Sequence, residues 1–415
     1  MTSALQRPKR KNPILRTRLP NVPPAARSRV GQGLTWAAAR GAFELQECKE
    51  CGTVQYPPRE ACHKCLSEKL VWKEQDGAGE LISETTLHLS YELFFRERVP
   101  WRLGMVKLDR GPIVIAHLHN DCPVAPTRVR VQACLDKGGQ AAMFTMPEKE
   151  TLNMADDKQL REMTCDPKFR KVLVTDGKTA VGQEIVRGLV KAGADLIWVG
   201  YAEAWKNFPG FDDLKQIPQV TLIPLDLTNS KSVREVCSQI GGRVDIVINN
   251  AEVHRTYGIA SRQGVENARM EMDINYFGLL RLAQELAPAM RGRGADGQSS
   301  AVAWVNLLSI YALTNYPPHG TFSASKAAAH SLAQCLRAEM RGSGIRVINI
   351  YPGPIDDEWN QTMLPPKLTP GAVSSAIVKA LQSGVEDVYP GDVAQEWLAR
   401  WRDNPKALER EVQGG

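Results

Sequence analysis

Short apolar runs alternate with helix-length amphipathic stretches across residues 170–390, and no other feature of this chain restricts its fold so strongly. Lys171–Thr175, Asp195–Val199, Val220–Pro224, Val244–Ile248, Ala301–Leu307 and Arg346–Ile350 have strand length and little polar alternation. A strand that is apolar throughout is one buried on both faces. Between these runs lie helical patterns such as Thr179–Ala192 and Met270–Met290. Repeated strand–helix–strand units need right-handed crossovers and a parallel sheet covered by helices on both sides. The expectation is an α/β, doubly wound, Rossmann-type domain over 170–390, followed by a helical tail at 391–415.

The first 169 residues read differently, and a chain of 415 residues exceeds a single domain of ~150. Residues 1–40 carry nine Lys or Arg and no acid in a chain whose net charge is +6, so the remainder is acidic. This Pro-rich basic arm reads as solvated chain; nucleic acid, CoA phosphates or an acidic partner would complement it. Residues 41–147 hold two Cys-x-x-Cys knuckles, Cys48/Cys51 and Cys62/Cys65, ten residues apart. Four thiolates at that spacing close a tetrahedral structural zinc site with no open position. His63, His117 and His119 are not needed as ligands. Strand-like runs follow at Gly79–His88, Leu103–Leu108, Ile113–His119 and Val129–Leu135, with a turn at Asp109–Pro112, which predicts a small β-barrel. Residues 148–169 are polar and charged, as in a linker. Cys122, Cys134, Cys165, Cys237 and Cys335 are scattered and odd in number, which argues against a disulfide framework and for a reducing, cytoplasmic setting. No apolar run reaches the ~18 residues of a membrane span, and the basic N-terminus lacks the apolar core of a secretory signal.

The text around the knuckles is more specific than the cysteines. Phe43–Cys48, Tyr56-Pro57-Pro58-Arg59 and Gly77–Ser83 resemble the rubredoxin-like zinc ribbon plus OB-fold family (DUF35), over roughly 30–147. The resemblance implies a partner of thiolases and hydratases that act on acyl-CoA, hence docking or an acyl-CoA ligand rather than catalysis. An OB barrel also invites a nucleic-acid reading through Tyr91, Phe94, Phe95 and Trp101 interleaved with Arg96, Arg98 and Arg102. That reading is disfavoured, because partner surfaces use such aromatic–Arg clusters more often.

Residues 170–390 resemble the short-chain dehydrogenase family, with its motifs in order. The active-site helix is recognisable in Thr321-Phe322-Ser323-Ala324-Ser325-Lys326, but Phe322 stands where that family has its catalytic Tyr. Ser309, thirteen residues earlier, and Lys326, four later, match the family's Ser and Lys, and Asn275 matches the helix Asn of its proton relay. A benzyl ring has no proton to transfer, and general acid/base catalysis contributes about 10²–10⁴ in rate. Tyr311 and Tyr316 lie upstream, and rescue would fall to Tyr316, which does not sit one turn before Lys326. At the phosphate turn the resemblance assigns Thr175, Gly177, Lys178 and Gly182 to cofactor binding, with Asp176 and Ala180 replacing two of the family's glycines. Asp226 matches the adenine-side Asp; Asn249 and Ala251 match the Asn-Asn-Ala-Gly motif, whose Gly is Glu252; Pro352 and Gly353 match the loop beside the nicotinamide, where Asp357 replaces a Thr. After Gly200-Tyr201 neither Asp nor Arg marks NAD or NADP preference.

The sequence therefore predicts structural zinc and a weakened NAD or NADP site. The first reading is an impaired dehydrogenase-like subunit that scaffolds an acyl-CoA β-oxidation-type complex. Its partners would be a thiolase, an intact short-chain dehydrogenase, or both, in a homo- or hetero-oligomer through helices near 270–290 and 322–341. The alternatives are an active 3-hydroxyacyl-CoA dehydrogenase or ketoreductase with a substitute proton donor, and a nucleic-acid-binding or NAD(P)-sensing protein.

Overall fold

The computed structural model describes residues 1–7, 22–24, 28–203, 209–255, 257–261, 263–294, 300–361 and 363–412. Most of the basic arm's charges, Lys9 to Arg18 and Arg27, lie outside the described residues. The chain forms two compact units, the first made chiefly of residues up to Asp166 together with Gln382–Val385, and the second chiefly of Pro167–Leu381 and the residues from Glu386 on.

The first unit opens with a three-stranded antiparallel ribbon. Strand β1 (Glu44–Cys48) lies between β2 (Val54–Gln55) and β3 (Leu70–Glu74). Each knuckle closes with the same bond: Gly52 N–H donates to Cys48 O at 2.9 Å, and Leu66 N–H donates to Cys62 O at 2.9 Å. Both closing residues are left-handed, Gly52 at φ 69° and Leu66 at φ 62°. Glycine adopts that conformation freely and leucine does not.

A closed barrel follows, in the order β4 (Ala78–Leu87), β5 (Trp101–Leu108), β6 (Ile113–Leu118), β8 (Ala141–Pro147), β7 (Thr127–Leu135). Four of the strands lie where the apolar runs predict them. The fifth, β8, is buried along nearly all its length, so it lacks the polar alternation that marks a strand with one wet face. Leu81, Val106, Leu118, Val129 and Leu135 fill the interior. Gly104 is required there, because a Cβ would sit 2.5 Å from Leu81 Cδ1.

Residues 148–166, read above as linker, fold into two short helical turns, Met154–Asp156 and Lys158–Arg161. Asp157 caps the second by accepting from Leu160 N at 2.9 Å. The buried Gln159 amide exchanges two hydrogen bonds with the backbone of Arg102, at 2.7 and 3.0 Å, as a neighbouring strand would. The aromatics of the nucleic-acid reading are largely interior: Phe94 and Trp101 are buried with Phe144 and Met163, and Phe95 packs against them. Only Tyr91 of the four stands fully exposed, so no row of rings faces outward for bases to stack on. His119 is buried, with Nε2 against Met154 O at 3.0 Å, and His117 accepts from Trp101 Nε1 at 2.8 Å. Both are structural.

In the second unit seven strands form one parallel sheet in the order β11 (Val220–Pro224), β10 (Leu196–Tyr201), β9 (Lys171–Val174), β12 (Ile246–Asn249), β13 (Ala303–Leu307), β14 (Arg346–Ile350), β15 (Asp387–Val388). The order reverses between β9 and β12, and open α/β sheets place their ligand cleft at the carboxyl ends of the strands at such a switch point. Six strands match the predicted runs; β15 is two residues long and below the resolution of pattern reading. The predicted helix at 270–290 is instead three segments: Glu266–Met272, a π-helical stretch Asp273–Gly278, and Leu279–Gly292. The π stretch contains Asn275, and π-bulges frequently occur at functional sites. The tail forms two helices, Asp392–Asp403 and Pro405–Val412. Among the described residues no helix is long and apolar enough to cross a membrane.

Candidate functional site

The four knuckle cysteines converge. Their Sγ atoms all lie within 4.8 Å of one another, with Cys48–Cys65 and Cys51–Cys62 each at 3.6 Å. A tetrahedron built on Zn–S bonds of about 2.3 Å has edges of about 3.8 Å. The donor set and its spacing fit a structural zinc ion and leave no position for substrate.

In the second unit the phosphate-type turn runs from Thr175 at the end of β9 into the Ala180–Lys191 helix. Thr179 Oγ1 caps that helix by accepting from Gly182 N at 3.1 Å. Gly182 is obligatory, since a Cβ would lie 2.0 Å from Asp176 O, and Gly177 would meet Val199 Cγ1 at 2.1 Å. Thr175 Oγ1 accepts from the backbone N–H groups of Asn250 and Ala251, each at 3.0 Å, and donates toward Asn249 Oδ1 at 3.3 Å. These bonds tie β9 to the loop after β12. Lys178 donates to the Glu203 carbonyl and lies near the rings of Tyr201 and Phe211. Asp176 holds its carboxylate at the turn; burial, with Glu358 and Glu252 adding, pushes it up to about 6. Asp226 accepts from Thr228 N at 2.9 Å and from Thr228 Oγ1 at 2.7 Å, within its own turn.

The Gly320–Arg341 helix brings Phe322 and Lys326 onto one buried face, one turn apart. Lys326 Nζ lies 5.4 Å from the Phe322 ring centre. It donates to Leu307 O at 2.9 Å and to Glu252 Oε2 at 2.6 Å. Lys326 is 2% exposed and Glu252 is 11% exposed, so the pair is nearly dry. Asn275 does not reach Lys326. Its amide donates to Val253 O and to Ser325 Oγ, both at 2.9 Å, and its Oδ1 accepts from Val253 N at 3.1 Å.

Ser309, Pro352 and Gly353 line a small cleft over this helix. Ser309 Oγ accepts from Tyr311 N at 3.2 Å. Tyr311 also lines the cleft, but burial raises its phenol well above the usual tyrosine range, the opposite of what proton transfer needs. Tyr316 stacks on Tyr311 at 4.8 Å and is not part of the lining. Asp357 accepts from Asn360 Nδ2 at 3.0 Å, and burial, then Glu252 and Glu358, push its carboxyl up to about 7.

Two residues of the cleft are not singled out by the sequence. His254 and His319 are 3% and 0% exposed, and their rings meet edge to face at 5.2 Å. His254 lies 4.4 Å from the Phe322 ring. None of the four ring nitrogens has a hydrogen-bond partner among the described residues. Burial pushes His254 down to about 3 and His319 to about 4, so both are neutral at pH 7. The only sequence signal was His319 three positions before Phe322, one helical turn away.

Known proteins divide the chain the same way. A family profile described as short chain dehydrogenase matches residues 170–367. Two others match upstream: the ChsH2 rubredoxin-like zinc ribbon domain over 35–71 and the ChsH2 C-terminal OB-fold domain over 72–134. An uncharacterized oxidoreductase of Staphylococcus aureus (strain USA300) is 30% identical over 216 residues, 50% of this chain and 89% of that protein. Dehydrogenase/reductase SDR family member 7B of Mus musculus is 31% identical over 194 residues, 44% of this chain, which spans only 56% of the mouse protein. A short chain dehydrogenase from Burkholderia cenocepacia J2315, solved in complex with NADP, shares 30% identity at a TM-score of 0.54 and covers 60% of this chain and 98% of its own. One from Streptomyces avermitilis, at 23% identity and TM-score 0.50, covers 59% of this chain and 97% of its own and shows the fold alone. The chain is a member of the short-chain dehydrogenase family that carries a ChsH2-type zinc ribbon and OB-fold ahead of its dehydrogenase domain.

Proposed function

We propose that this protein is an assembly subunit whose dehydrogenase-fold unit has lost hydride transfer and whose zinc ribbon and barrel dock an acyl-CoA-processing partner. The observation that carries the reading is the buried Lys326–Glu252 ion pair beneath Phe322. The ammonium that would anchor a nicotinamide ribose is held at 2.6 Å by a carboxylate of the same chain, and the ring above it has no proton to give. Asp176 adds a carboxyl at the phosphate turn. NADP is the dinucleotide to test first, since the Burkholderia relative was solved with it; on this reading the site takes it weakly.

Docking is supported by the outer face of the barrel. Ile82, Met105, Ile113 and Ile115 are exposed there, and Met105 sits directly opposite Ile115 in the β5–β6 register. Strand β6 pairs with β8 only at His117 and Leu118, which leaves Ile113–Ala116 with an open edge among the described residues. Apolar side chains beside unpaired backbone favour a partner surface. A thiolase-like protein, an intact short-chain dehydrogenase, or both are the proposed partners, in a cytoplasmic, reducing setting that keeps the zinc thiolates intact.

The test is NADPH fluorescence titration of the zinc-loaded protein, alongside hydride transfer to acetoacetyl-CoA. The expected result is no saturation below millimolar NADPH and no turnover. Micromolar binding with turnover that Lys326→Ala abolishes would overturn the proposal and favour the active-enzyme reading.

A further inference from the structure

The two zinc knuckles are attached to the ribbon in different ways. The first is built into it: Cys48 ends β1, and its N–H donates to Thr53 O at 3.0 Å. The second follows Pro57 and Pro58, which have no N–H to give a strand ladder. Among the described residues no backbone-to-backbone bond ties 57–61 to the ribbon. Yet Cys62 is fully buried, with its Sγ 3.6 Å from that of Cys51.

Two glutamines make the attachment. Gln46 on β1 and Gln55 on β2 stand directly opposite each other in the register, so their side chains leave the same face, and both are buried. Gln46 grips Arg59 as a strand would: its Oε1 accepts from Arg59 N at 2.8 Å, and its Nε2 donates to Arg59 O at 3.0 Å. Gln55 Nε2 donates to Gln46 Oε1 at 3.0 Å and to Ala61 O at 3.4 Å, while its Oε1 accepts from His63 N at 3.1 Å. A carboxamide oxygen only accepts, so His63 Nδ1, 3.2 Å from it, is the protonated nitrogen of that ring. Every donor and acceptor of the Gln55 carboxamide is used. The contacts fall at residues 59, 61 and 63, the period of a strand. Two linked carboxamides stand in for the strand that the prolines forbid, and Cys62 lies between the two residues that Gln55 holds.

We propose that Gln46 and Gln55 are the positioning residues of the zinc site: Gln55, steadied by Gln46, brackets Cys62 through Ala61 and His63 and so sets the Cys62 thiolate. Losing a group that orients a metal ligand lowers metal affinity about 10–100-fold. A fully satisfied buried network is rigid, and a rigid bracket reduces the ordering that zinc binding must itself supply. His63, not a ligand, closes the bracket with its ring. This role concerns the ribbon alone and does not depend on the assembly reading.

The test uses the full-length protein. Zinc affinity is measured by competition against a chelator, and the thiolate geometry is read from the visible absorption of Co(II) bound in place of zinc. Gln55→Met keeps the length of the side chain and removes its hydrogen bonds. It should weaken zinc binding about 10–100-fold and change the cobalt spectrum at saturating metal, because Cys62 no longer holds its corner of the tetrahedron. Leu45→Ala is the control: Leu45 is a core residue next to Gln46 with no part in the network, so its truncation destabilises the unit but should leave the saturated spectrum as in wild type. Wild-type affinity and spectrum in Gln55→Met would overturn the proposal, as would the same spectral change in Leu45→Ala. Should Gln55→Met fail to fold, amide exchange in the zinc-loaded wild type decides. The Arg59 and His63 N–H groups should exchange slowly; exchange as fast as at the exposed Glu60 would show that the glutamines hold nothing and would overturn the proposal equally.

Discussion

Replacing Glu252 by glycine, the residue its family motif carries, should raise dinucleotide affinity and lower stability together. In the wild type a ribose that claims the Lys326 ammonium must first open a 2.6 Å ion pair whose partners are 2% and 11% exposed. Removing one partner of a buried pair is destabilising by about 3–5 kcal/mol. Because Lys326 keeps its bond to Leu307 O at 2.9 Å, the lower end, about 3 kcal/mol, applies. At 1.4 kcal/mol per factor of ten, the glycine variant should bind NADPH about 100-fold more tightly than wild type. It should also melt about 6–12 °C lower without ligand, on the scale of about 2–4 °C per kcal/mol for a unit of this size. NADPH at about 100 times its Kd returns about 2.7 kcal/mol, so the liganded variant should melt close to wild type, whose own midpoint stays fixed. Paired NADPH titrations and thermal melts read all of this. Equal NADPH affinity in the two proteins would refute the reasoning, because Glu252 would then not be what keeps the ribose away.

Restoring the phenol tests the same site from the chemical side. Phe322→Tyr alone should leave acetoacetyl-CoA reduction undetectable, whereas Glu252→Gly/Phe322→Tyr should give measurable NADPH oxidation, at least tenfold above Glu252→Gly alone. Leu66 is 77% exposed and left-handed at φ 62°, so Leu66→Asn should stabilise the zinc unit by about 0.5–1 kcal/mol, since asparagine tolerates that conformation; urea melts of the zinc-loaded protein read it. Cys48→Ser should release zinc and unfold the ribbon, measured as lost metal content and faster amide exchange across Glu44–Glu74, with the Lys171–Ile350 sheet unchanged. His319 has a folded pKa of about 4, below the unfolded value of 6.5; the unfolded chain takes up the proton first, so stability from this group is present above pH 6.5 and lost as pH falls toward 4. Relative to His319→Phe, wild type should lose about 2 kcal/mol between pH 7 and pH 5, with the rise of Asp357 cancelling in the comparison; parallel curves for the two proteins would show that the imidazole is not buried neutral.

Much of this architecture is legible because burial writes itself into composition. Six sheet strands announce themselves as apolar runs, and helix periodicity fixes Phe322 and Lys326 on one face four residues apart. The pattern fails where burial is complete or where local hydrogen bonding changes phase. Strand β8 has no wet face to alternate with, and the π stretch at Asp273–Gly278 keeps the apolar spacing of an ordinary helix while shifting its bonds. The contacts that define the site are harder still. Glu252 and Lys326 are 74 residues apart, and they meet because the sheet places the loop after β12 beside the helix that follows β13. His254 and His319 come together across the same junction, and nothing local to either residue signals the other.

Glu252 and the loss of the phenol also have a common physical logic. A lysine that is 2% exposed is strongly destabilising unless something offsets its charge, and unpaired buried ions cost several kcal/mol. In an enzyme that always holds a dinucleotide, bound ligand can share that task. In a subunit that must stay folded regardless of cofactor supply, the countercharge has to come from the chain. Glu252 provides it from a position where glycine would provide nothing, and the same carboxylate then competes with any ribose for the ammonium. On the proposed reading, stability without cofactor and weak cofactor binding are one consequence of one substitution.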